Sequence, residues 1–369
     1  MGEQRPESSK ALNDLPVLDI LKKLSQASGV SGYESEAGLL TVEAITPFAD
    51  EVHVDAMGNV VATKRASLGA QPAGRILLAG HLDEIGLMVT AVTAGFLRFT
   101  QVGGFDVRVL PSQEVVVHGQ RPLPGIVGSR PPHVLPPQDR ERVTPMEDLF
   151  VDVGLPPAEV ESLVSVGDLI TVARQPIELH NRRLAAKAMD DRAAVAAIVE
   201  TFRLLANVRT EWEVVGVATV QEEASDFLGA RTSSFRLKPD LAIALDVGHA
   251  ETPNGEDVPI LTLGKGPGIA LGPNIHPKVF RRLTETANRQ EIPWQADPCP
   301  GATGTDAWAL QVAGAGIPTA LIDIPLRYMH TSVETLALTD LERIARLLAA
   351  FIADLDQAFA AELRGAPCC

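Results

Sequence analysis

Polar residues stand where apolar runs end, and their types are those that bind metals and move protons. In Gly80-His81-Leu82-Asp83 the imidazole and the carboxylate lie two positions apart, so on extended chain they face the same side. That spacing lets a histidine ligate a metal while a carboxylate behind it fixes the tautomer. Read alone, it is more often an ordinary hydrogen-bonded pair. Ala188-Met189-Asp190-Asp191-Arg192 opens a helical segment, where a cap accounts for one aspartate better than for two. Gln221-Glu222-Glu223 follows the strand-like EVVGVATV, a place where adjacent acids are commonly solvated. Asp246 follows the apolar LAIAL run, and His330 stands in Tyr328-Met329-His330-Thr331-Ser332. Taken singly, those two read as a cap and a structural histidine.

Taken together, the five read differently. His81, Asp190, Glu223, Asp246 and His330 are a mixed nitrogen–oxygen set suited to zinc or cobalt rather than to calcium or magnesium. Two divalent ions sharing a bridging carboxylate need about this many protein ligands. The charges also balance, with three carboxylates and one bridging hydroxide against two divalent ions. Glu222 is then left over as the natural general base. Bound metals would lower the pKa of a water and polarise a carbonyl; without them, clustered carboxylates raise one another's pKa.

The elements that must position these residues follow from periodicity. Residues 15–48 have helical spacing around a turn at Ser31-Gly32, and Arg75–Gly80 is a short apolar run of buried-strand type. From about 85 to 176 the texture changes to short Val-rich segments between Gly and Pro turns, with four prolines in seven residues from Pro131 to Pro137. That is an all-β, barrel-like texture. After 180, helix-spaced RAAVAAIVETFRLL, strand-like EVVGVATV and LAIALD, then PTALIDI and a closing amphipathic helix over 339–355 alternate as in an α/β sheet covered on both faces. The expected architecture is one α/β domain, residues 1–84 and 177–369, interrupted by a β insert at 85–176.

The order and wording of the motifs resemble the M42 family of metallo-aminopeptidases. The matching stretches are GHLDEIGLMV (80–89), GIVGSRPPH (125–133), FVDVG (150–154), KAMDDR (187–192), TVQEE (219–223), ALDVGHA (244–250), LGKGP (263–267), TGTDA (303–307) and IPLRYMHTSVE (324–334). The resemblance implies a dinuclear metallopeptidase α/β sandwich with an inserted β-barrel-like, PDZ-like domain used in oligomerisation. It implies His81 and Asp246 on one metal, Glu223 and His330 on the other, Asp190 bridging, Glu222 as general base and Asp83 behind His81. It also implies peptide substrates, and dimers that assemble into a tetrahedral dodecamer. One departure stands out. The family continues the Glu-Glu pair with a glycine that is missing here, and the run Ala224 to Gly229 is one residue longer. One reading has Asp226, with Ser225, reshape the pocket and favour basic or neutral N-terminal residues; the readier one has Asp226 point into solvent or cap the helix. His249, His133 and His180 are spare.

Composition bounds the alternatives. The 369 residues carry 32 basic and 47 acidic side chains, a net charge of −15, which repels phosphate backbones and anionic membranes. Neither nucleic acid nor membrane is therefore an expected partner, and no apolar run reaches the length of a membrane span. The N-terminal stretch does not read as a secretory signal, and Cys299, Cys368 and Cys369 form neither a disulfide framework nor a metal knuckle, so the cytoplasm is the expected compartment. A deacylase of amino-acid derivatives is the main alternative. A glycosidase would need no histidine ligands and would want more than 4% aromatics, and a non-catalytic assembly protein would be expected to have lost Glu222 or a ligand.

Overall fold

The computed structural model describes residues 17–224, 226–253 and 261–365. Ser225, Cys368 and Cys369 lie outside the described residues. Four parallel strands, Glu213–Thr219, Arg75–His81, Leu241–His249 and Thr319–Arg327, form the centre of an eleven-stranded mixed sheet in that spatial order. Val60–Lys64 and Glu51–Val54 extend one edge antiparallel. Glu334–Ala337, Arg183–Ala186 and Ile177–Leu179 extend the other, and Gly268–Leu271 with Gln295–Pro298 branch from Thr319–Arg327.

The central strands are continuous apolar runs because both faces are covered, and their period of two divides the core. Ile76, Leu78, Val214, Ile243, Leu245, Ile322 and Ile324 join one buried cluster with residues of the helices Val17–Gln26, Met189–Leu205, Pro277–Arg289 and Leu338–Ala353. Leu77, Ala79, Val215, Val217, Ala242, Ala244 and Leu321 join a smaller cluster with Ala230 of the helix Leu228–Leu237 and with the short helix Asp306–Gln311. His81, Asp246 and Asp323 continue that second set, two residues on from Ala79, Ala244 and Leu321. All three therefore stand on the thinly covered face.

After His81 the chain enters a separate closed barrel, in strand order Gly86–Thr93, Phe96–Val102, Phe150–Asp152, Pro122–Gly128, Glu114–His118 and Leu169–Val172. Its own core is Leu87, Val89, Leu97, Val115, Val117, Val127, Val151 and Ile170. The fold is thus an α/β sandwich carrying an inserted β-barrel. At the point of insertion Glu84 is buried against Lys187 Nζ at 2.6 Å and Arg192 Nη2 at 3.5 Å, and accepts a hydrogen bond from Gly29 N at 3.1 Å. Arg192 Nε also donates to Leu82 O at 2.8 Å, which ties the strand leaving His81 to the helix carrying Asp190.

Candidate metal centre

The C-terminal ends of parallel strands are where open α/β sheets place their sites, because chain connections there leave a crevice. His81 ends Arg75–His81, and Glu222 and Glu223 follow Glu213–Thr219 by three and four residues. Asp246 lies inside Leu241–His249, and His330 is three residues past Thr319–Arg327. Asp190 comes from the first turn of Met189–Leu205, where it and Asp191 keep non-helical backbone angles. The two aspartates divide the work. Asp191 accepts from Ala194 N at 3.2 Å and from His81 N at 3.1 Å, as a cap and a tether, while Asp190 turns to the histidines.

Asp190 is the centre of the group. One of its oxygens lies 2.9 Å from His81 Nε2, and the other 3.4 Å from His330 Nε2, which is also 3.4 Å from Glu223 Oε1. Two overlapping donor triads, His81–Asp190–Glu223 and His81–Glu222–Asp246, each have ligand atoms within 4.8 Å of one another. Glu222 Oε2 stands 4.0 Å from His81 Nε2. His81 Nδ1 meets the main-chain oxygen of Asp83 at 3.2 Å, with the Asp83 carboxylate at 3.5 Å. That carboxylate is occupied elsewhere: it accepts from Glu222 N and Glu223 N, each at 3.0 Å, and from Ser31 Oγ. All seven residues singled out from the sequence are therefore brought together.

The electrostatics suit a site for positive charge. Burial, then the charges of Asp246, Asp306 and Glu223, push Glu222 up to about 10. Burial, then Asp190, raises Glu223 and carries Asp246 well above the carboxylate range. Hydrogen bonding to Asp190 and then Glu223 lifts His330 to about 11. Burial opposes a charged His81, but Glu222, Asp190 and Asp83 around it raise it well above its ordinary value. Asp190 is held low by His330 and His81 against the burial that would raise it. Cations bound among these groups would favour their charged carboxylate and neutral imidazole forms, and two imidazoles with three to four carboxylates suit zinc-like ions.

A cavity of about 500 Å³ opens over these donors. Its wall includes Phe227 from the loop after Glu223, whereas Asp226 is exposed in a left-handed turn and does not line it. Of the two readings of Asp226, its exposure accords with the one that points it into solvent, and the longer loop presents an aromatic ring to the cavity. Of the spare histidines, His249 lines the cavity, while His133 and His180 are exposed and do not. Sequence reasoning passed over Glu334, buried four residues after His330, which accepts from His330 N at 2.8 Å and Asp190 N at 3.1 Å. Also passed over were Asp306, which accepts from Thr219 Oγ1 at 2.5 Å, and the cavity-lining Asp297 and Asp323. The only signal for Glu334 and Asp306 is their place in the motifs IPLRYMHTSVE and TGTDA.

The sequence pattern of the M42 glutamyl aminopeptidase family matches residues 58–347. The lysyl aminopeptidase of Pyrococcus furiosus is 36% identical over 346 residues, covering 91% of this chain and 97% of its own. Among solved structures, the TET aminopeptidase from the marine sediment archaeon Thaumarchaeota archaeon SCGC AB-539-E09 is 34% identical with a TM-score of 0.88, covering 94% of this chain and 98% of that one. The Pyrococcus horikoshii TET1 peptidase, described as assembling into a tetrahedron or a large octahedral shell, is 33% identical with a TM-score of 0.80, covering 92% and 100%. This chain belongs to the M42 glutamyl aminopeptidase family, and its function is that of a metal-dependent aminopeptidase.

Proposed function

We propose that the chain removes N-terminal residues from peptides with two divalent ions, zinc or cobalt. His81 and Asp246 would hold one ion, Glu223 and His330 the other, and Asp190 both. The observation that carries this reading is the reach of Asp190, one oxygen toward His81 and the other toward His330. When bound, such ions lower the pKa of a water and polarise the scissile carbonyl. Glu222 takes the proton of the attacking water and returns it to the leaving amine. Burial among other carboxylates raises its proton affinity, and cations bound beside it would bring that back toward the neutral range in which a base works. Asp83 is a positioning residue: it pins the backbone of Glu222 and Glu223 and, through its main-chain oxygen, orients His81. Glu334 holds the backbone of Asp190 and His330 in the same way.

The inserted barrel is the assembly module in this reading, joining subunits as dimers and then as a tetrahedral dodecamer. The assemblies described for the similar TET1 peptidase support it. A free thiol at Cys299 accords with a reducing cytoplasm. No helix among the described residues is long and apolar enough to cross a membrane.

One preparation tests the whole reading. Elemental analysis is expected to find two transition-metal ions per chain. Chelator should abolish cleavage of a free-amine peptide and zinc or cobalt restore it, while the N-acetylated twin stays intact. Light scattering should find a particle far above the 39.3 kDa monomer. Active protein without transition metal would sink the metal assignment, cleavage of the acetylated twin would favour a deacylase, and a stable, active monomer would remove the assembly.

A further inference from the structure

One wall of the cavity is acidic yet takes no part in the metal centre. Asp323 sits mid-strand in Thr319–Arg327, in register with Asp246 on one neighbouring strand and with Gly268 on the other. Gln295 pairs with Gly268, and Asp297 lies two residues further along that strand, so all of these positions share the cavity face. Asp323 is only 4% exposed, and its Oδ2 is buried without a hydrogen-bond partner. The two carboxyls face each other closely enough to share a proton, and among the described residues no basic side chain is paired with either. No lysine or arginine lines the cavity among the described residues. The metal-donor triads found among those residues do not include Asp297 or Asp323 either.

A carboxyl pair buried with no cation beside it can ionise only at a cost, which a ligand that brings positive charge would relieve. The surroundings leave room for one. A Cβ at Gly248 or Gly268 would meet Leu261 first, at 2.7 or 2.9 Å, and then Asp323 Cβ at 3.0 or 3.2 Å, so the two glycines let Leu261 and Asp323 pack side by side in the cavity wall. Leu261, Leu321 and Met329 line the same cavity and offer an apolar path for an alkyl stem. Burial, then Asp297 and Asp323, pushes the nearby Cys299 thiol up to about 12, so it is neutral wall rather than nucleophile. Asp323 lies one strand over from Asp246, about 5 Å at the backbone, which is within a side chain's reach of the reacting carbonyl.

We infer that Asp323, with Asp297, selects peptides whose N-terminal residue carries a cationic side chain, lysine or arginine. The stem lies along Leu261, Leu321 and Met329, and the ammonium or guanidinium enters between the two carboxylates. This deepens the aminopeptidase reading and rests on it.

The test measures kcat and KM of the metal-reconstituted wild type, Asp323→Asn and Asp297→Asn on lysyl, arginyl, leucyl and glutamyl p-nitroanilides. The wild type is expected to favour lysyl and arginyl substrates by roughly tenfold or more. Asp323→Asn should lose that preference, mostly through KM, by roughly 10–100-fold, with leucyl cleavage changed less than about threefold. Asp297→Asn, at a half-buried position that folding tolerates better, should shift the preference the same way by a smaller factor. A wild type that cuts leucyl or glutamyl substrates as fast as lysyl ones overturns the inference and leaves the aminopeptidase reading intact. An equal loss on all four substrates in Asp323→Asn also overturns it, because α-ammonium binding or a purely structural role would act that way. A reconstituted wild type that cuts none of them defeats the aminopeptidase reading itself.

Discussion

Asp306 shows how a single buried acid records the field of this site. It is fully buried, and burial followed by the Asp83 charge raises it from the ordinary 3.8 to about 6. An acid with a raised folded-state pKa adds stability below its unfolded value and loses it as pH climbs through its folded value. In metal-stripped protein, stability should therefore fall between pH 3.8 and about 6, a cost of about 3 kcal/mol when complete. Asp306→Asn can still accept from Thr219, so it should remove that slope and be the more stable variant at pH 7. Urea unfolding of both proteins across this range checks it, and identical slopes would refute it. At this scale the sequence was most informative about the donors, since each stands at an apolar strand's end or a helix's start, where side chains meet a crevice. It was least informative about Glu334 and Asp323. Glu334 works through the backbone N–H groups of other residues, and Asp323 takes its meaning from its register beside Asp246, which no spacing along the chain reveals.

The helix Met189–Leu205 lies against the strand Arg75–His81 because Gly80 has no side chain. A Cβ there would come 2.7 Å from Ala194 Cβ and 3.2 Å from Asp191 Oδ2. That close approach delivers Asp191 to the His81 amide and Asp190 to the His81 ring. Gly80→Ala should therefore cost about 1–3 kcal/mol by overpacking and weaken metal binding at the same time. Adding Ala194→Gly, which removes the clashing methyl, should recover much of both. Denaturant melts with metal titration would refute this packing account if Gly80→Ala behaved like the wild type. The strands of the central sheet were legible as apolar runs, within a few residues at their ends. The helix was less so, because it begins at Met189 rather than Arg192, and its first turn departs from helical angles where the aspartates are recruited. The loop after Glu223 left two readings open. Its acidic residue invited an electrostatic role, yet the turn exposes Asp226 and directs Phe227 to the cavity.

On the scale of the whole molecule, one sheet divides two buried clusters, and the chemistry gathers on the face with the thinner cover. Alternation along Arg75–His81 and Leu241–His249 decides this, since Leu77, Ala79 and His81 share one face, as do Ala242, Ala244 and Asp246. The barrel was legible as a change of texture because its strands are half-buried and turn-rich, while the sheet's are buried on both faces. Its strand order was not legible, since closure depends on pairings such as Glu114–His118 with Leu169–Val172 that are distant in sequence. The cavity carries more carboxyl groups than its two metal-facing histidines can neutralise. On the reading proposed above, a molecule built this way would bind cations, first metal ions and then the cationic side chain of an N-terminal residue.

The most direct measurement of that claim is metal stoichiometry together with kcat for Glu222→Gln and Glu223→Gln. Glu222→Gln should keep both ions and lose turnover by roughly 10²–10⁴-fold, the usual worth of a positioned proton acceptor. Glu223→Gln removes a ligand charge, so one ion should bind weakly and part of the lost activity return at high metal concentration. If Glu222→Gln loses an ion while Glu223→Gln keeps two, the assignment of base and ligand is contradicted.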